Sequence, residues 1–266
     1  MWMRVKFMTG NLVNCEICGY PLYYRSQVIR DTITLIIAES ALEMVPREII
    51  DHPSVQNRAR RLGLKPSETM LDRSYHHAAM GALENNAKRG RPDIIHFALM
   101  EALGTPLFLK AMLRVYIHTA NDKLIAIADN LRVPKSYFRF EGLMLGLFKD
   151  KVIRSDQGAT LMELSEGTME DLLKIIVPTQ IIGLSTMGVS GTVEKVAAEN
   201  LSDGCAFVVG GFPRGHFSEN TTRLLNLTYS ISEMGLEAHV VIARVLYECE
   251  KLLEKGVYHE RDEQRR

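Results

Sequence analysis

Three clusters in this 266-residue chain have side chains of the types and spacing that chemistry needs. The first is Leu71-Asp72-Arg73-Ser74-Tyr75-His76-His77, denser in polar groups than a plain surface turn requires. Consecutive helical positions diverge by about 100°, so His76 and His77 do not make a metal pair, and structural and substrate-facing roles stay open for both. The second is Lys88-Arg89-Gly90-Arg91-Pro92-Asp93. Pro92 suits the first position of a helix, and Asp93 its first turn, where the helix dipole favours a carboxylate. The third, Arg132-Val133-Pro134-Lys135-Ser136-Tyr137-Phe138-Arg139, interleaves three cations with two aromatics. From 88 to 139 there are nine Lys/Arg against four Asp/Glu, in a chain of zero net charge. Phosphates attract such a patch, and aromatics between cations stack on unpaired bases. Charge alone fits a solvated loop ahead of a helix equally well.

Three glycine-bearing loops, at 183–188, 210–215 and 233–236, each follow an apolar strand. None is a Gly-x-Gly-x-x-Gly after the first strand and none is a P-loop, which argues against a dinucleotide-binding enzyme. Around Val208-Val209-Gly210-Gly211-Phe212-Pro213-Arg214-Gly215, an apolar strand from Cys205 reaches two residues without Cβ. That is the carboxyl end of a strand, where open α/β sheets leave their ligand crevice. The three loops could converge their backbone groups on one ligand such as an adenosine; plain turn glycines are the alternative. Cys15-Glu16-Ile17-Cys18 resembles half of a zinc ribbon, but no second Cys-x-x-Cys closes the site, so no metal is expected.

The elements that must position these groups alternate between strand and helix. Ile33 to Ala38 reads as a strand buried on both faces, with Glu39 to Glu43 in the loop after it. Pro46 to Leu62 reads as a helix with a basic end at Arg58, Arg60 and Arg61, closed by Gly63. A helix starts at Pro92 and stops at Gly104; Leu113–His118 and Leu124–Ala128 form a hairpin. Further helices carry Phe140 to Leu147, Thr168 to Val177 and Thr192 to Leu201. Gln180 to Ile182 is a strand, Ser218 caps a helix with Leu224 and Leu225, and a long helix runs through Val240 to Leu253. With 46% hydrophobic and 24% charged residues the chain reads as an ordinary soluble globular protein. No apolar run approaches membrane-spanning length and no secretion signal is apparent, so a cytoplasmic protein without membrane contact is expected. The expected division is an extension over 1–30, an α/β domain over 31–258 and a frayed, charged tail over 259–266. Within the domain, insertions fall at about 46–90 and 110–140.

From Ile33 to about Leu253 the chain resembles the ribosome-biogenesis pseudouridine-N1 methyltransferases of the SPOUT superfamily, in their archaeal branch. The resemblance rests on Leu71-Asp72-Arg73-Ser74, Arg91-Pro92-Asp93-Ile94, Val115-Tyr116-Ile117-His118-Thr119, Arg132-Val133-Pro134 with Arg139 to Met144, Val208 to Gly215, and Ser230-Ile231-Ser232 with Leu236. It implies an α/β SPOUT fold with a C-terminal trefoil knot, a homodimer, and S-adenosyl-L-methionine as methyl donor. The implied substrate is a pseudouridine of small-subunit rRNA. Carried over, Gly183, Gly188, Gly210, Gly211 and Gly215 line the donor, and Ile231, Ser232, Glu233, Met234, Gly235 and Leu236 close it. Arg91, Arg132, Lys135 and Arg139 meet the RNA, Asp93 holds Arg91, and the proton is removed by Asp93, Asp72 or bulk water, a choice the sequence leaves open. The alternatives are a non-catalytic rRNA-binding assembly factor and a SPOUT enzyme acting on another base.

Overall fold

The computed structural model describes residues 32–263, with side chains over 32–254, and in the N-terminal unit, Met1–Arg30, the antiparallel pair β1 (Val13–Asn14) and β2 (Pro21–Leu22). Cys15 and Cys18 lie outside the described residues.

The second unit is built on β3 (Ile33–Ser40), buried at every position. It lies between two parallel neighbours, β9 (Ala206–Gly210) and β4 (Leu113–Thr119). A strand covered on both faces has to be continuously apolar, and this one sends alternate residues to opposite faces. Ile33, Leu35 and Ile37 join Phe207 and Val209 in the larger core, while Ile36 and Ala38 join Ala206 and Val208 in the smaller. Helices α3 (Pro92–Ala102), α5 (Tyr137–Asp150), α7 (Val193–Asn200) and α9 (Ala238–Glu263) contribute to the larger core. Residues Met169, Leu172 and Leu173 of α6 (Met169–Ile176) cover the smaller one.

The complete sheet has eight strands in the order β10-β8-β9-β3-β4-β5-β7-β6. The added strands are β5 (Lys123–Ile127), β6 (Val152–Arg154), β7 (Thr160–Glu166), β8 (Ile181–Ser190) and β10 (Leu227–Ser230). From β10 to β4 the neighbours run parallel; β4, β5, β7 and β6 pair antiparallel. The expected α/β class holds, and the 113–128 hairpin is present, but β4 is bonded to the central strand, so the hairpin is part of the sheet and no appendage to it.

The 46–90 segment is helical with its own core of Val45, Ile49, Val55, Leu71, Ala79, Met80 and Leu83. The single helix expected there is divided. A 3-10 turn at Arg47–Ile49 precedes α1 (Pro53–Leu62), because Pro53 holds His52 extended (ψ 137°) and the helix can only start afresh. Gly63 closes α1 at φ 67°. Helix α2 (Arg73–Met80) follows, and short helices α4 (Pro106–Leu109) and α8 (Glu219–Leu224) complete the set. Helical backbone in α9 continues to Glu263, past residue 259 where fraying was expected.

Candidate functional site

The parallel strands β9 and β10 end at one cleft of about 370 Å³, which β8 borders in mid-strand. Leu184, Ser185 and Thr186 come from β8, Val209 and Gly210 from β9, and Ser230 to Ser232 from the end of β10. The loop Phe212–Phe217, residues Met234 to Glu237, Ala238 and Val241 of α9, and Ile94 of α3 complete the wall. Apolar side chains and glycines share the lining with polar groups such as Ser185, Thr186, Arg214, His216 and Glu237, and the volume lies within the usual range for a small-molecule site. At Gly235 an added Cβ would meet nothing within 4 Å, so open space lies directly over that peptide. Gly210 has a different reason: its Cβ would sit 2.7 Å from the Phe212 ring, which folds back over the strand end.

Of the residues expected at this ligand, Gly210, Gly215, Ile231, Ser232, Met234, Gly235 and Leu236 line the cleft. Gly183, Gly188, Gly211 and Glu233 do not. The expected loop at 183–188 is strand β8, and its glycines admit neighbouring protein. A Cβ on Gly183 would lie 2.4 Å from Leu225 Cδ1, one on Gly188 2.5 Å from the Thr228 carbonyl carbon, and one on Gly211 2.4 Å from Ser40 Oγ. Glu233 is exposed beside the lining. The residues between the first two glycines, Leu184 to Thr186, are the ones that reach the cleft.

Ile94 joins this cleft to the start of α3, where Arg91 and Asp93 form a two-bond pair: Nε donates to Oδ1 at 2.8 Å and Nη2 to Oδ2 at 2.7 Å. These bonds raise the Arg91 pKa against the pull of partial burial, and Glu237 in the cleft wall adds to the effect. Asp72 links the start of α2 to Tyr137 of α5. Its Oδ1 accepts from Ser74 N at 2.8 Å, capping α2, and its Oδ2 accepts from the Tyr137 hydroxyl at 2.6 Å. It is buried as well as bonded at both oxygens. Burial, then the bond to Asp72, pushes the Tyr137 pKa far up, so that phenol stays a donor. His76 is buried and accepts from Asp72 N on Nδ1; His77 is exposed.

Two contacts, one of them from His96, which the sequence did not single out, hold the Arg132–Arg139 segment. His96 Nε2 lies 2.7 Å from the Pro134 carbonyl oxygen, with its ring stacked on Phe140 at 4.6 Å. Arg58 donates to both oxygens of Glu141, at 3.0 and 2.9 Å, tying α1 to α5, whereas Arg60 and Arg61 are exposed as a solvated helix end would be. The segment so held presents Arg132, Lys135 and Arg139 exposed, with Phe138 69% exposed among them. None of the three cations makes an ion pair among the described residues. Lys88 and Arg89, counted in the same basic excess, are instead paired with Glu39 and Glu43. They border a wider cleft of about 850 Å³ whose charges are of both signs, so nothing in it selects a ligand.

A family profile described as EMG1/NEP1 methyltransferase matches residues 35–250. The ribosomal RNA small subunit methyltransferase Nep1 of Staphylothermus marinus is 38% identical over 224 residues, covering 84% of this chain and 97% of that protein. That of Saccharolobus solfataricus is 38% identical over 221 residues, covering 83% and 98%. Among solved structures, Archaeoglobus fulgidus Nep1 bound to S-adenosylhomocysteine superposes with a TM-score of 0.75 at 32% identity, over 84% of this chain and 99% of that one.

Proposed function

This chain belongs to the EMG1/NEP1 methyltransferase family, and from that premise we propose that it methylates N1 of a pseudouridine in small-subunit rRNA, with S-adenosylmethionine as donor. The observation that carries the reading is one of placement. A cleft of small-molecule size is lined by Ile94 of α3, one residue from Asp93, and the same helix, through His96, holds Pro134 in the segment that presents the exposed cations. Leu184 to Thr186, Gly210, Gly215, Ser230 to Ser232 and Met234 to Leu236 are the residues that would hold the donor. When bound, it supplies an electrophilic methyl group on a sulfonium.

The chain's own residues then do the rest. Pseudouridine is a C-glycoside, so its ring N1 carries a proton and becomes the nucleophile once that proton leaves. As the N1–methyl bond forms and the sulfur–methyl bond breaks, the proton goes to water, since Asp72 has both oxygens committed and Asp93 is bonded to Arg91 through both of its own. Arg91 contributes positive potential that favours the deprotonated ring and, with Arg132, Lys135 and Arg139, holds backbone phosphates. The target base leaves its stack to reach the cleft, and Phe138 offers a ring on which a neighbouring base stacks. Most of the rate then comes from positioning. The trefoil threading of the C-terminal segment, a homodimer and a cytoplasmic location belong to the same reading. Among the described residues no helix is long and apolar enough to cross a membrane.

Incubation with labelled donor and paired RNAs, identical except for pseudouridine or uridine at the target, tests the reading. Methyl transfer to the pseudouridine RNA alone is expected; transfer to the uridine RNA, or to neither, overturns it. A second expectation concerns Asp93. Asp93→Ala frees the Arg91 guanidinium from its planar anchor, so RNA affinity falls about tenfold, or about 1.4 kcal/mol. S-adenosylhomocysteine affinity stays within about twofold. Equal RNA affinity in the variant, measured by titration at fixed salt, removes that role.

A further inference from the structure

At the carboxyl end of the central strand, Glu39 has φ 50°, a left-handed backbone that a glutamate rarely adopts. Strain of this kind persists where the surroundings demand it, and it tends to mark sites where placement matters. Here it directs a carboxylate on a residue only 8% exposed toward two partners. Oε1 accepts from the Ser218 amide at 2.6 Å and Oε2 from Lys88 Nζ at 3.0 Å. Burial alone would raise the Glu39 pKa, but these bonds, together with the Thr221 and Ser218 hydroxyls, outweigh it and the carboxylate is held below its ordinary range.

Lys88 reaches further. Its ammonium also donates to the His216 carbonyl oxygen and sits 4.4 Å from the centre of the Phe212 ring. Gly215, at φ 92°, packs beside its stem: a Cβ there would lie 3.2 Å from Lys88 Cε. One lysine is thus fixed at several points along residues 212–218, the loop that forms one wall of the 370 Å³ cleft. It comes from the segment that ends in Arg91, whose own amide bonds Ala41 O just beyond β3.

We propose that Lys88 and Glu39 are a positioning pair that clamps the 212–218 loop in its donor-binding shape, from the chain segment that carries Arg91. The proposal rests on the donor reading above. Neither residue lines the 370 Å³ cleft, so both act through the loop. Lys88→Met removes the ammonium and keeps the stem; Glu39→Gln keeps an acceptor for Ser218 and removes the charge.

Hydrogen exchange on the ligand-free protein tests the clamp without reference to any ligand. Amides of 212–218, that of Ser218 above all, exchange at least about tenfold faster in Lys88→Met, while β3 and β9 keep their protection. S-adenosylhomocysteine binds about tenfold more weakly by calorimetry, RNA affinity without it stays within about twofold, and Lys88→Arg recovers most of the loss. Unchanged loop exchange, or acceleration spread over the whole domain, overturns the proposal, as does undiminished S-adenosylhomocysteine affinity in Lys88→Met. A wild-type protein that binds no S-adenosylhomocysteine refutes the donor reading instead, and the exchange experiment still decides the clamp.

Discussion

Gly188→Ala will disable the cleft from behind, although Gly188 does not line it. The reason lies in how β8 pairs with β10. Thr228 is opposite Gly183 and Tyr229 opposite Val189, so one step along β10 spans six along β8. The extra residues form an excursion, and Leu184, Ser185 and Thr186 within it make one wall of the cleft. Gly188 brings that excursion back onto β10, where a Cβ would stand 2.5 Å from the Thr228 carbonyl carbon and 2.6 Å from its oxygen. Those atoms are backbone, so relief requires β10 itself to move, and β10 leads directly into the opposite wall at Ser230 to Ser232. Overpacking commonly costs about 1–3 kcal/mol, and a backbone neighbour puts this site at the upper end. We expect stability to fall by about 3 kcal/mol and S-adenosylhomocysteine affinity by about a hundredfold. Gly142→Ala in α5, where nothing lies within 4 Å, is the matched control and should be neutral or stabilising by up to about 1 kcal/mol. If Gly188→Ala binds S-adenosylhomocysteine as the wild type does, the excursion does not depend on this close approach.

What the sequence disclosed, it disclosed through local rules. The Ile33 to Ala38 run announces a strand buried on both faces, Pro92 and Asp93 announce the start of α3, and Thr168, Thr192 and Ser218 each accept a backbone N–H as helix caps. The Arg91–Asp93 pair came only with the family resemblance; by local rules alone Asp93 reads as a first-turn carboxylate, a place it also occupies. The β6–β7 hairpin was not read: β6 is three residues long and at the sheet edge, and β7 carries Glu163 and Glu166 among its apolar positions, which weakens any period. The 183–188 glycines were misread for a different reason. Spacing shows that Cβ is absent, but only the fold shows whether ligand or Thr228 and Leu225 fill the space.

Charge was the least legible quantity. Counting from 88 to 139 gave an excess of cations, yet Lys88 and Arg89 are neutralised by Glu39 and Glu43, which lie outside that window. The exposed cations are concentrated instead at 132–139, where Pro134 is held by His96 and the helix behind by Glu141. A cation count therefore locates a surface poorly unless the carboxylates brought by the fold are subtracted first.

The same logic gives Glu141→Ala its large expected effect. Glu141 and Arg58 are 83 residues apart in sequence, with side chains 4% and 15% exposed. Two bonds satisfy Nη2, the guanidinium lies 3.8 Å over the Tyr75 ring, and Arg58 Nε is buried with no partner. Removing the carboxylate leaves a largely desolvated cation beside a vacated site, and breaking such a pair from one side costs about 3–5 kcal/mol. In a domain of this size the melting temperature should drop by about 10 °C. Replacing both members, Arg58→Met with Glu141→Leu, removes the stranded charge and should recover most of the loss, because a well-packed apolar pair avoids the desolvation cost. Thermal unfolding of the two single variants and the double variant measures this directly. A drop of under about 1 kcal/mol in Glu141→Ala would show that water reaches the pair. RNA titration well below the melting temperature carries the functional half: α5 is tied to α1 through this pair and begins at Tyr137, next to Phe138 and Arg139. A loosened α5 weakens RNA binding in Glu141→Ala, and the apolar double variant regains it without any charge restored.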